Sequence, residues 1–163
     1  MCIRDSAGAD QIQGGAGTDT VTYAASTAGV RVSLGTGQGR GGDAQGDRLQ
    51  DVENLAGSDH DDLFTGNDGV NRLDGGSGDD VLEGGAGADE LVGGSGSDTA
   101  SYVGAEAGVR ASLLQPTANT GDASGDRYDG IENLEGSEHD DVLEGDAGNN
   151  ILLGNPGDDQ LFG

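Results

Sequence analysis

Ten acid or amide side chains recur at one place in a nine-residue frame: Asp10, Asp19, Asp62, Asn71, Asp80, Asp89, Asp98, Asp141, Asn150 and Asp159. Around the middle ones the chain reads GGSGDDVLEGGAGADELVGGSGSD (residues 75–98), which is Gly-Gly-x-Gly-x-Asp three times at a spacing of nine. Carboxylates at fixed intervals, set between glycines that leave backbone carbonyls uncovered, form a donor set made wholly of hard oxygens. The chain has one cysteine and two histidines, so zinc, copper and iron sites are poorly supported. Flexible coordination by many oxygens suits calcium better than magnesium, which demands near-octahedral geometry and resists dehydration.

The elements that would position these oxygens follow from the same frame. The units are 5–13 and 14–22, then 57–65 through 93–101, then 136–144 through 154–162. In the sixth place stand the residues above. In the eighth stand Ile12, Val21, Phe64, Leu73, Leu82, Leu91, Ala100, Leu143, Leu152 and Leu161. The first six residues of a unit read as a turn, because glycine takes positive φ at little steric cost. The last three read as a very short strand with its middle side chain turned inward. Turn and strand alternating every nine residues wind the chain into a coil of 18 residues, two units per turn. Stacked coils lie about 4.8 Å apart and pair as parallel strands. No segment outside the loops escapes glycine long enough to sustain a helical period. Stacking also brings the sixth-place aspartates of alternate units together, where two carboxylates about 5 Å apart repel by roughly 3 kcal/mol at an effective dielectric near 20. A cation between the turns would remove that repulsion and tie the coils.

A longer period overlies the nonapeptide. Residues 14–84 match residues 93–163 at an offset of 79 without a gap, and 36 of the 71 aligned pairs are identical, so the match includes two 34-residue interruptions, 23–56 and 102–135. The ends of the interruptions agree. Their middles, Gly35–Gly41 and Leu114–Thr120, do not, and are expected to be exposed loops. Within each interruption, GDAQGD and GDASGD place Asp47 and Asp126 as the aspartates of degenerate repeat turns. Arg31/Arg110 and Arg48/Arg127 recur in register and are expected to pair with local carboxylates.

Composition excludes several classes. A net charge of −24 with seven basic residues argues against nucleic acid and anionic membrane partners, both of which would be repelled. No apolar run approaches the roughly 18 residues of a membrane span. Residues 1–6, MCIRDS, resemble one reading frame of a transposon adapter used in sequencing libraries and are set aside as an artefact, leaving 7–163 as the repeat domain. The chain ends on Gly163, the first residue of another unit, and reads as a piece of a longer protein. No catalytic motif is present, so no enzymatic activity is expected of this segment. His60 and His139 occupy equivalent degenerate turns and lack a metalloprotease partner motif. A GxGxxG at Gly37, Gly39 and Gly42 has no following helix pattern to make a dinucleotide loop.

The units resemble the RTX, or haemolysin-type calcium-binding, nonapeptide, a calcium-binding β-helix repeat. The interruptions resemble the spacers, ending in an I/V-E-N-L stretch, that punctuate such arrays. The resemblance implies an all-β, right-handed parallel β-roll (a β-solenoid of GGxGxDxUx repeats) holding several Ca2+ ions between turns of alternate units. It places metal ligands at the ten sixth-place residues and at the carbonyl-donating glycines Gly76, Gly78, Gly85, Gly87, Gly94 and Gly96. Asn71 and Asn150, uncharged, and His60 and His139, standing for glycine, should weaken their sites, leaving the strongest between Gly75 and Asp98. The resemblance further implies a segment of a larger secreted bacterial protein that folds on meeting calcium outside the cell, exported by type I secretion and flanked by further repeats or domains. Its setting is an extracellular or surface location. Rival settings are the C-terminal module of a secreted enzyme (protease, lipase or alginate-modifying) and the spacer of an adhesin or surface-layer protein.

Overall fold

The structure is a computed structural model that describes residues 2–4 and 6–163. It is all β: short strands joined by tight turns, three 3-10 turns, and no α-helix among the described residues. One sheet runs in the order Cys2–Arg4, Thr20–Thr22, Asn54–Ala56, Arg72–Ser77, Glu90–Ser95, Arg127–Asp129, with every neighbouring pair parallel. A second runs Gln11–Gln13, Arg48–Gln50, Gln38–Arg40, Arg31–Ser33, Leu63–Thr65, Val81–Glu83, Thr99–Ser101, Asn133–Glu135, Leu152–Leu153. Arg110–Ser112, Val142–Glu144 and Gln160–Phe162 form a third.

Within plain repeats the register step is 18 residues. Leu73 lies beside Leu91, Phe64 beside Leu82, and Leu143 beside Leu161. Two nonapeptides therefore make one coil, and successive units alternate between the two sides of a parallel β-roll. The eighth-place side chains point inward as expected: Val21, Phe64, Leu73, Leu82, Leu91, Ala100 and Leu143 are fully buried. Leu152 is half-buried and Leu161 exposed, because each ends its row of stacked side chains.

The interruptions are part of the roll. Arg48–Gln50 stacks on Gln11–Gln13, and Arg127–Asp129 on Glu90–Val92, each at a step of 37 residues. Asn54–Ala56 and Asn133–Glu135 close each interruption by stacking, at a step of 34, on the strand that preceded it. The expectation of exposed loops at the middles needs correcting for the first one. Gln38–Arg40 is a strand, antiparallel to both Arg31–Ser33 and Arg48–Gln50, with Gly39 buried. In the second, Pro116 opens a 3-10 turn over Pro116–Ala118. Proline lacks the N–H that a central ladder needs. Only an isolated antiparallel bridge, Arg110 to Thr120, remains there, and Arg110–Ser112 belongs to a separate sheet from Arg127–Asp129.

Candidate metal centre

Each coil is tied to the next by a carboxylate that reaches back to a backbone N–H. Asp80 Oδ1 accepts the N–H of Asp62 at 2.7 Å, and Asp98 Oδ1 accepts that of Asp80 at 2.8 Å. On the other side Asp89 Oδ1 accepts the N–H of Asn71, and Asp126 Oδ1 that of Asp89, both at 2.8 Å. Asp159 does the same for Asp141, and Asp47 for Asp10, at 2.9 Å. The sixth-place residues of alternate units thus stand in rows, and Asp47 and Asp126 take the places of repeat aspartates within those rows. Two members escaped the sequence reading. Glu53 accepts the N–H of Asp19, and Glu132 that of Asp98, each at 2.9 Å. Their recurrence at the 79-residue offset was the available signal.

What happens to the second carboxylate oxygen divides the row. In Asp62 it accepts the N–H of Ser58 at 2.6 Å and the serine hydroxyl at 3.1 Å. Asp141 is held in the same way by Ser137. Asp126 Oδ2 accepts from the hydroxyl of Tyr102 at 2.8 Å, and Asp47 Oδ2 from that of Tyr23 at 3.1 Å. The amides of Asn71 and Asn150 are engaged at both atoms. Their Nδ2 groups donate to the carbonyls of Glu53 and Glu132, and their Oδ1 atoms accept from Asn67 and Asp146. Asp80, Asp89 and Asp98 differ: their Oδ2 atoms are buried without a hydrogen-bond partner among the described residues. A buried carboxylate oxygen left so is costly unless a proton or a cation meets it. Desolvation accordingly pushes Asp80 up to about 7, with the neighbouring charges of Asp62 and Asp98 adding to it, and Asp89 up to about 7. Asp98 and Asp62 are raised by the same cause.

The turns supply further oxygens. Gly76, Gly78, Gly85, Gly87, Gly94 and Gly96 all have positive φ. At Gly94 and Gly96 the requirement is double, since a Cβ would also run into the carbonyl oxygens of Gly76 and Gly78, one coil away. The carbonyl oxygens of Gly76 and Gly78 therefore approach the next coil closely. All of these oxygens are hard donors, which fits calcium. Among the described residues no three His, Cys, Asp or Glu side chains converge as a ready metal cluster, so carbonyls would have to complete any coordination shell. Elsewhere, Asp19 is buried, while Asp10 and Asp159 are half-buried. His60 and His139 are exposed, and their N–H groups bond Ser58 and Ser137.

A parallel roll of nonapeptide coils, with aspartates stacked between glycine turns, is the architecture of a calcium-binding repeat protein. The chain matches the family model for the RTX calcium-binding nonapeptide repeat over residues 3–25, 65–100 and 124–163, more than half its length. It belongs to that family, whose members are typical of secreted bacterial proteins. No curated protein matches the chain significantly. No helix among the described residues is long and apolar enough to cross a membrane.

Proposed function

We propose that this segment binds several calcium ions and that binding completes its fold once the chain has left the cell. Asp80, Asp89 and Asp98 would hold the ions, with carbonyls of Gly76, Gly78, Gly85, Gly87, Gly94 and Gly96 supplying the remaining oxygens. The carrying observation is the set of three buried Oδ2 atoms without a partner among the described residues, which fall in three consecutive units with GGxGxD intact, 75–101. Bound calcium would supply the positive charge that these oxygens lack. In the cytosol, with calcium scarce, a chain of charge −24 and few large apolar residues stays disordered, which favours export before folding. The wider protein would then use the roll as a folding module beside an enzyme or as a spacer in an adhesin. Flanking sequence separates those two: HExxH or GxSxG marks the enzyme, tandem extender domains the adhesin.

Circular dichroism tests the calcium reading directly. In chelator the chain should be largely disordered, converting to a β-rich spectrum when calcium reaches about 0.1–1 mM, the range of extracellular modules. A chain equally β-rich in chelator would refute it.

A further inference from the structure

The two interruptions treat one arginine differently. In the second, Arg110 Nη2 meets Glu144 Oε2 at 3.2 Å. In the first, the equivalents are Arg31 and Thr65, so that carboxylate is absent. A further arginine, Arg40, stands directly across from Arg31 on the antiparallel strand. Its counterpart at the 79-residue offset is Asn119, which is buried and bonded to Tyr128 and Ser112. Like charges directly opposite one another in a sheet are destabilising. Yet both arginines are exposed and neither makes an ion pair among the described residues, in a chain with 31 acidic residues. They flank a shallow cavity of about 390 Å³, also lined by the aliphatic Val32 and Leu63 and by Ser33, Thr36, Gln38 and Thr65. Glu83, two strands from Arg31–Ser33 in the sheet, is turned to Thr65 and to the N–H of Gly104.

We infer that this cavity is a binding site for a small carboxylate-bearing molecule, held between the guanidinium groups of Arg31 and Arg40. Glu144 on Arg110 shows what an arginine at this place takes when the chain supplies it. Two guanidinium groups offer paired N–H donors suited to carboxylate geometry, and the hydroxyl and amide side chains around them add neutral donors. Size follows from electrostatics. Beyond a Debye length of about 8 Å at physiological salt the attraction of the two arginines is screened, and a longer anion would lie against the acidic turns instead. A long polyanion would meet their repulsion, whereas a small acid lodged in the cavity would not. The inference does not depend on which oxygens bind calcium.

The test is calorimetric titration of the calcium-loaded chain with glutarate, with neutral glutaramide as control. Glutarate should bind saturably at one site and glutaramide should not. R31Q and R40Q should each weaken binding at least tenfold. T65E, which restores the internal carboxylate of the second interruption, should do the same. R127Q, at the other interruption, should leave binding unchanged. Circular dichroism on each variant verifies that the roll is intact. No saturable glutarate binding by the folded wild-type chain, equal binding of glutaramide, or binding indifferent to R31Q and R40Q would overturn the assignment.

Discussion

The fate of one oxygen atom sorts the aspartates of this roll. Where serine or tyrosine bonds Oδ2, as in Asp62, Asp141, Asp47 and Asp126, the protein has satisfied the carboxylate itself. Where nothing does among the described residues, as in Asp80, Asp89 and Asp98, a proton or a cation would have to meet the oxygen. Asp80→Ala should therefore raise the calcium midpoint for folding several-fold. Asp43→Ala should move it little, since Asp43 sits in a 3-10 turn outside the rows and its N–H, which bonds Ser26, survives the change. Calcium titrations of both variants decide it, and equal shifts would contradict the sorting. The same oxygens predict a pH effect. With Asp80 and Asp89 raised to about 7 in the fold and near 4 in the unfolded chain, the calcium-free roll binds more protons than its unfolded form between those values. Its stability is then highest at the acid end of that window and falls as pH rises toward 7. In calcium-free buffer the β spectrum should be stronger at pH 5 than at pH 7.5, while saturating calcium should preserve it at pH 7.5. A calcium-free spectrum that strengthens with pH would contradict the assignment.

At the scale of the element, the turn is the fragile part. Gly96 has a φ of +146° and packs against the carbonyl of Gly78. Gly96→Ala should cost on the order of 1–3 kcal/mol from overpacking alone and should weaken calcium-induced folding, read as a raised calcium midpoint. Gly15→Ala shares the positive φ but meets no neighbouring atom, so it should cost less. A larger loss for Gly15→Ala would show that conformation rather than close approach governs the turns. The nonapeptide elements were legible because each encodes its own geometry: glycines for the turn, one aliphatic for the inward position, one acid for the row. The interruptions were legible only at their ends. That Gln38–Arg40 forms an antiparallel strand depends on Arg31–Ser33 and Arg48–Gln50 being brought to either side of it, which no local pattern announces. Tyr23 and Tyr102 escaped notice for a related reason. Their hydroxyls meet aspartates 24 residues away, a contact created by winding rather than by spacing.

Across the whole molecule, the core is thin, built mostly of stacked aliphatic side chains with Phe64, Tyr23 and Tyr102 among them, and acids outnumber basic residues 31 to 7. Under the proposed function such a body takes positive charge at defined places and not merely a denser ionic atmosphere. Magnesium should consequently substitute poorly, because turn carbonyls and single carboxylates do not offer near-octahedral geometry at short distance. Titrating magnesium against the same spectrum tests this. Equal folding in both ions would assign the effect to screening instead of coordination.

Five nonapeptides, an odd number, separate the two interruptions. Each unit crosses to the other side of the roll, so the added strands of the first interruption enter one sheet and Arg127–Asp129 of the second enters the opposite one. The insertions are thus two-ranked, like leaves set alternately on a grass stem. The bare arginine pair stands in the nine-stranded sheet and its self-satisfied counterpart Arg110 in the three-stranded one, so a surface laid along one sheet would meet only one of them. An even count would have put both on the same flank, where a ligand held at one could be sensed beside the other.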